Sequence, residues 1–180
     1  MVSATSTGTT LSNLTPGSYT ATASRVIYGG DIYVPKASTL SATVSSGNTA
    51  TVTFEYLPLP VLTLEIKKRY GGTDSRFLNS TPPSLTLLEN GASFKTGLIV
   101  GTTTIGLNVG KTYSLNRNVG YEYEFYSRCF IGCTERLYWV LESITGLPVT
   151  ASLGGKYSAT ATWRARRCYQ DWLSWRCEKL

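Results

Sequence analysis

The chain has 180 residues and a net charge of +6, with 16% charged and 42% hydrophobic residues. Few charges and many Thr, Gly and Tyr residues disfavour a helical protein and are typical of strands and turns. No apolar run approaches the roughly 18–20 residues that cross a bilayer, so we expect no membrane span.

Residues 1–57 are predicted to form a first module of short strands. The start, MVSATSTGTT, has neither a basic nor an apolar stretch, which predicts that no signal peptide is present. Strands are expected at 9–14, 18–26, 32–34, 39–44 and 49–56. In the last strand Val52, Phe54 and Tyr56 alternate with polar residues and share one face. Turn signals about every ten residues favour a sandwich.

One turn-and-strand motif occurs three times. The segment PGSYTATA at residues 16–23 returns as GGKYSATA at 154–161, and a looser copy, LNVGKTYSLN, covers 107–116. In each copy a glycine turn precedes a tyrosine and then small and β-branched residues. Glycine adopts a positive φ at low cost and threonine favours a pleated strand, so the motif predicts the entry of an antiparallel strand.

The segments TTLSNLTPGSYTATA and GGDIYVPKASTLSATVSSGNTATVTFEY resemble the C-terminal two-thirds of an Ig-like or prealbumin-like repeat. Such repeats occur in secreted bacterial surface proteins, beside carboxypeptidase-regulatory-like and collagen-adhesin B-type modules. The resemblance implies a sandwich in an extracellular setting and says almost nothing about activity. The strands that open such a repeat are missing before Thr9.

A proline-rich linker is predicted at residues 58–60, followed by a second module at 61–163. Its strands are expected at 61–67, 84–88, 92–96, 98–100, 102–109 and 111–119. Asn90–Gly91 is a strong hairpin turn. The segment PPSLTLLENGASFKTG resembles the same architecture.

Residues 121–143 are predicted to form a hairpin with its loop at 130–132. This register opposes Cys129 with Cys133, Phe125 with Leu137, Tyr123 with Trp139 and Tyr121 with Leu141. On the other face it pairs Tyr126 with Arg136 and Arg128 with Thr134. One face is then apolar or aromatic throughout, whereas a slip by one residue would scatter the aromatic residues.

The four cysteines predict two disulfides and an oxidising compartment. We expect the pairs Cys129–Cys133 and Cys168–Cys177; the pairing 129–168 with 133–177 stays open, because sequence does not determine connectivity. A four-cysteine zinc site and free thiols are the alternatives. The CxxxC and Cx8C spacings fit zinc poorly.

Residues 144–162, ITGLPVTASLGGKYSATAT, resemble the opening of the repeat, which the first module lacks. They could pair with residues 9–56, in the same chain or in a neighbouring copy, and so build a filament by strand addition. The alternative is that they complete the second module.

The sequence contains no histidine, which removes histidine-based triads and histidine-ligated zinc. Its three aspartates lie in turn-like settings, and its glycine pairs are turn glycines rather than phosphate-binding loops. We therefore expect no catalytic, cofactor-binding or metal-binding residues.

The basic, aromatic segment 164–180, together with the residue before it, is the best candidate ligand or interface site. Tryptophan faces stack on sugar rings or bases, and arginine forks bind carboxylates, sulfates or phosphates. In the alternative, Trp163 belongs to a strand core while Trp172 and Trp175 pack over the disulfide loop or a neighbouring subunit. The candidate residues are Trp163, Arg164, Arg166, Arg167, Tyr169, Trp172, Trp175 and Arg176.

Together these patterns predict an all-β protein with two Ig-like antiparallel β-sandwich modules in tandem and a short disulfide-closed C-terminal tail. The expected function is a non-catalytic structural or adhesive element of an extracellular surface, appendage or fibre. Its partner would be itself, as a homo-oligomer or filament, or other surface proteins. The alternatives are a glycan- or polyanion-binding module of a larger secreted protein and a virion spike or tail component.

Overall fold

The computed structural model describes residues 10–72, 79–116, 125–128, 134–171 and 174–179. It gives only the backbone for residues 125–128, 134–137, 169–171, 174, 175 and 178. The described chain forms fifteen strands and contains no helix, so the all-β prediction is confirmed. Contacts divide the chain into two compact units, Met1–Pro58 (unit 1) and Leu59–Leu180 (unit 2).

The described residues of unit 1 form five strands in two small sheets. Strand β1 pairs antiparallel with β4, and the second sheet has the order β2-β3-β5. The strands are β1 (Gly17–Thr22), β2 (Val26–Tyr28), β3 (Asp31–Pro35), β4 (Thr39–Val44) and β5 (Tyr56–Pro58). The strand predicted at 18–26 is therefore interrupted at residues 23–25.

Two predicted strands of unit 1 are not formed as expected. Residues 49–55 lie outside any strand, although Val52 and Phe54 are half-buried and Thr51 and Thr53 are exposed. The predicted alternation is present, but this segment lacks the ladder partner that a strand requires. Residues 10–14 are likewise not a strand.

Unit 2 contains ten described strands in two larger sheets. One sheet has the order β13-β10-β7-β8, and the other β11-β12-β14-β6-β9 with β15 also paired to β14. The strands are β6 (Val61–Arg69), β7 (Leu85–Glu89), β8 (Ala92–Leu98), β9 (Gly101–Gly106), β10 (Thr112–Leu115), β11 (Phe125–Arg128), β12 (Thr134–Thr145), β13 (Val149–Thr150), β14 (Lys156–Asp171) and β15 (Ser174–Lys179).

Both sheets of unit 2 contribute to one hydrophobic core. In strand β6, for example, Leu62, Leu64 and Ile66 alternate with polar residues and are almost completely buried. Trp139 from β12, Trp163 from β14 and Tyr113 from β10 are the largest fully buried side chains of the cluster. Burial of each such side chain contributes about 1.5–3 kcal/mol, so unit 2 is a self-contained, β-sandwich-like structure.

Strand β14 organises the larger sheet of unit 2. Along one edge it pairs first in parallel with β6, over residues 156–164, and then antiparallel with β15, over 166–171. Strand β12 pairs along its other edge. The predicted boundary between 163 and 164 therefore falls inside a continuous strand, and residues 164–180 are no separate tail.

This pairing also decides the role of residues 144–162. They contribute the end of β12, β13 and the first half of β14, all within unit 2. The hypothesis that they complete the sheet of residues 9–56 in the same chain is wrong, because β14 pairs along both edges with strands of unit 2 and β13 pairs with β10. Pairing with a neighbouring copy stays a prediction. The alternative, completion of the second module, is what the structure shows.

Two local predictions about hairpins are confirmed. Strands β11 and β12 pair Phe125 with Leu137 and Arg128 with Thr134, in the predicted register. The Asn90–Gly91 turn has positive φ at both residues, 48° and 85°, as a two-residue hairpin turn requires. Cys129, Cys133, Tyr121 and Tyr123 lie outside the described residues.

In each motif copy the tyrosine hydroxyl is hydrogen-bonded to the backbone of the turn before it. The Tyr19 hydroxyl donates to the Thr15 carbonyl oxygen at 2.8 Å. The hydroxyl of Tyr113 accepts from the Asn108 backbone N–H at 2.7 Å, and that of Tyr157 accepts from the Ser152 backbone N–H at 2.8 Å. A tyrosine hydroxyl bonded to backbone a few residues upstream is a recurrent corner device of β-sandwiches.

The predicted linker at 58–60 is part of the folded units. Pro58 ends β5 opposite Tyr33. Pro60 is among the most completely buried residues, and its carbonyl oxygen accepts from the Leu107 N–H at 2.8 Å. The proline-rich composition reflects packed strand ends rather than an exposed spacer.

Candidate functional site

The predicted cluster of aromatic and basic residues is divided by the alternation of β14. Trp163 is 2% exposed and packs in the core of unit 2, with Ala161 and Ala165 on the same strand. Trp163 therefore has no face open to a ligand. For this residue the alternative interpretation, that it belongs to a strand core, is correct. Successive side chains of a strand point to opposite faces, so Arg164 and Arg166 lie on the outer face, away from the core.

The remaining predicted arginines lie on the other face of the same strands. Arg167 follows Ala165 on the core side of β14 and is half-buried. Arg176 is exposed and lies opposite Tyr169 in the β14–β15 register. Trp172 lies outside the described residues, and only the backbone is described for Tyr169 and Trp175.

A disulfide joins β14 and β15 on the outer face. Cys168 and Cys177 are direct cross-strand partners, with a Cα–Cα distance of 4.0 Å, so this predicted pair is confirmed. The bond excludes the alternative pairing of Cys168 with Cys129. The Tyr138 hydroxyl on β12 lies 2.7 Å from the sulfur of Cys168 and 3.5 Å from that of Cys177.

A carboxylate on the same face links three strands. Glu142 on β12 lies 3.1 Å from the Lys179 ammonium on β15 and 3.4 Å from the Arg164 guanidinium on β14. The hydrogen bond from Lys179 lowers the pKa of Glu142 most strongly, and the positive charge of Arg164 lowers this pKa further. Glu142 therefore stays ionised and holds two of the cations in place.

Arg166 lies at the centre of this outer face. It is opposite Tyr138 on β12 and opposite Lys179 on β15. Within the part of the chain that the structure describes, its guanidinium has no hydrogen-bond or ion-pair partner. We name Arg164, Arg166 and Lys179 the outer basic face.

Sequence reasoning missed Tyr138, Glu142 and Lys179 as members of this face. The cystine could have identified Lys179, because pairing Cys168 with Cys177 in an antiparallel ribbon places Arg166 opposite residue 179. Tyr138 and Glu142 are different. They come from β12, whose register with β14 is set by long-range packing that the local sequence does not encode.

A second candidate surface is the edge strand β2 of unit 1. Val26, Ile27 and Tyr28 are 43%, 73% and 62% exposed. Among the described residues, β2 pairs only with β3, so its outer edge presents unpaired backbone groups. Edge strands normally discourage further pairing with charges, prolines or bulges, and this strand contains neither a charge nor a proline.

The described residues show no group of three or more His, Cys, Asp or Glu side chains that could hold a metal ion. Within the same residues there is no helix that is long and apolar enough to cross a membrane. The chemistry that these surfaces offer is ion pairing at the outer basic face and strand pairing at β2.

Comparison with protein-family models, curated proteins and solved structures gives no match. The class that the fold defines is therefore an all-β protein with a sandwich-like unit and a cross-strand cystine. The resemblance to Ig-like or prealbumin-like repeats stays a prediction.

Proposed function

We propose that this protein is a non-catalytic structural or adhesive element of an extracellular surface, appendage or fibre. It would assemble with further copies of itself through strand addition at β2. The two units would then be Ig-like modules in tandem, of which the first is incomplete. The single observation that carries the proposal is the exposed, uncharged β2 edge of a unit whose described residues include only one that is buried.

The burial in unit 1 supports this proposal. In its described residues only Pro35 is classed as buried, while apolar side chains such as Leu11 and Ile27 are more than 70% exposed. Consecutive exposed apolar residues, such as Val26, Ile27 and Tyr28 on β2, are typical of an interaction site. A second copy is the natural occupant, because a β2 edge can pair antiparallel with the β2 edge of another copy about a two-fold axis.

The Cys168–Cys177 bond supports the extracellular part of the proposal. Disulfides persist in oxidising environments and are rare in the reducing cytosol. A protein that assembles outside the cell also gains from a covalent link that survives dissociation and dilution.

The test introduces a charge into the edge. In sedimentation velocity over a wide concentration range, the unmodified chain should form dimers or larger species as concentration rises. Ile27→Lys should weaken this association about ten- to hundredfold, since burial of one such side chain is worth about 1.5–3 kcal/mol. Size-exclusion chromatography with negative-stain imaging would then separate closed dimers from filaments.

Ile99→Lys provides the matched control. Ile99 is also a highly exposed isoleucine, at 60%, but it lies in unit 2 between strands β8 and β9. The same chemical change there should leave association unaltered. A chain that stays monomeric at every concentration, or equal effects of the two substitutions, would contradict the proposal.

A further inference from the structure

We propose that the outer basic face binds the sulfate or carboxylate groups of an acidic polysaccharide, with Arg166 as its central contact. The inference concerns unit 2 and is independent of association through β2. It rests on the placement of three cations on neighbouring strands, on the lack of a partner for one of them among the described residues and on the disulfide that fixes their spacing.

The first step is the juxtaposition of like charges. Arg166 and Lys179 are direct cross-strand partners, so their Cβ atoms lie about 4.5–5.5 Å apart. Like charges directly opposite each other are destabilising. An anionic group bound between them would remove that repulsion, and the planar guanidinium of Arg166 offers paired donors that match a sulfate or carboxylate.

The second step is the charge balance. Glu142 is the carboxylate that the structure shows in contact with this face, and it already contacts both Arg164 and Lys179. The three cations of the outer basic face thus share one described carboxylate, and Arg69, opposite Arg164 on β6, adds a further positive charge. Arg166 has no carboxylate partner in the described residues, and the residue is only half-buried. A positive group is left for an external anion.

The third step is preorganisation. The Cys168–Cys177 bond fixes the register of β15 on β14, and this register places Lys179 opposite Arg166. The hydroxyl of Tyr138 contacts both sulfur atoms and so ties β12 to the same cystine. A binding surface whose strands are already fixed loses less conformational entropy when a ligand binds.

A polysaccharide fits this face better than a nucleic acid. The cystine favours an oxidising, extracellular setting. In that setting sulfated and carboxylated polysaccharides are the abundant polyanions.

The test measures heparin affinity by chromatography and by titration calorimetry at several salt concentrations. Arg166→Gln should weaken binding about tenfold, because it removes a charge-assisted contact, and should reduce the salt dependence by about one ion. Glu142→Gln should strengthen binding, because it releases Arg164 and Lys179. Arg166→Lys, which keeps the charge but loses the fork, should give intermediate affinity.

Arg176→Gln is the matched control. It removes the same charge from an exposed arginine of the same ribbon, but on the opposite face. Its heparin affinity should change less than about twofold, since exposed charges outside a site contribute little. Circular dichroism of each variant shows whether the sheet is intact. If Arg166→Gln does not fold, the heparin affinities of Glu142→Gln and Arg166→Lys test the inference instead.

Three outcomes would overturn the inference. Equal losses of heparin affinity for Arg166→Gln and Arg176→Gln would show that heparin binds through the net charge of the protein and not at this face. Unchanged affinity of Glu142→Gln would show that Arg164 and Lys179 do not contact the ligand. Tighter binding of duplex DNA than of heparin at equal salt would assign the face to nucleic acid.

Discussion

Units 1 and 2 use the same turn-and-tyrosine motif and similar alternating strands, but they differ sharply in burial. In unit 2 two sheets contribute residues such as Leu64, Leu87 and Trp139 to one core. In unit 1 the described residues form small sheets whose apolar side chains are mostly half-buried, and those of β2 are exposed. The difference shows that alternating strands alone do not make a stable module, which also needs a second apolar layer to cover them.

The energetic consequence follows from the cost of ordering the chain. Fixing each residue costs about 1–2 kcal/mol of conformational entropy, and apolar burial must offset it. Unit 2 has the buried leucines and tryptophans that provide this offset. Unit 1 has little of it within its own described residues, so we expect its strands to be only marginally stable until another copy covers them.

The largest expected effect comes from truncating the core of unit 2. Leu64→Ala should lower the free energy of unfolding of unit 2 by about 2–5 kcal/mol, since Leu64 is completely buried. All four tryptophans lie in unit 2, so urea unfolding followed by tryptophan fluorescence reports this unit.

The matched change in unit 1 is Ile27→Ala. In dilute solution it should change the opening free energy of unit 1, measured by amide hydrogen exchange, by less than about 0.5 kcal/mol, because Ile27 is largely exposed. A loss of stability as large as that of Leu64→Ala would show that β2 is already buried in the single chain. It would contradict the difference in burial between the two units.

A smaller effect is expected from removing the hydroxyl of the motif tyrosines. Tyr113→Phe should cost unit 2 about 1–3 kcal/mol, because it leaves the Asn108 N–H and the Glu89 carboxylate without their shared partner. Tyr19→Phe should cost unit 1 less, since the bond to Thr15 is exposed. Fluorescence-detected unfolding measures the stability of the Tyr113 variant, and hydrogen exchange across β1 measures that of the Tyr19 variant. Equal losses of stability would mean that burial does not set the strength of the tyrosine hydrogen bond.

The smallest effect is an acid sensitivity confined to unit 2. Hydrogen bonds from Tyr113 and then Asn108 lower the pKa of Glu89 below 4.5, and the hydrogen bond from Lys179 is the largest cause that lowers the pKa of Glu142. A carboxylate with a lowered folded pKa stabilises the protein above its unfolded pKa. This stabilisation is lost as pH falls through the folded value.

We therefore expect the unfolding free energy of unit 2 to decline as the pH falls below 4.5. Glu89→Gln should flatten this decline, which urea unfolding at a series of pH values would measure. An unchanged slope in the variant would mean that Glu89 does not contribute to the acid response.

Much of the local structure could be predicted from sequence. The Asn90–Gly91 turn and the β11–β12 register both follow from residues close together in the chain, and both are correct. Strand β4 was predicted with its observed bounds, Thr39–Val44, because its alternation is clean and its flanks are turn residues. Local patterns suffice where the partner strand is a sequence neighbour.

The errors arise where pairing is long-range. Residues 49–55 have the alternation of a strand but no ladder partner, and β14 continues through the predicted boundary at residue 163. The arginines at 164, 166 and 167 led to the prediction of a separate basic tail from residue 164 onward. In a strand their aliphatic stems cover the sheet while the charged ends stay at the surface, so basic composition did not mark the end of the strand.

The most direct test of the central contrast is amide hydrogen exchange at increasing protein concentration. If unit 1 is completed by another copy, exchange of the β2 amides should slow as concentration rises, while exchange across β6 and β14 of unit 2 stays constant. Exchange at β2 that is the same in dilute and concentrated solution would contradict the account.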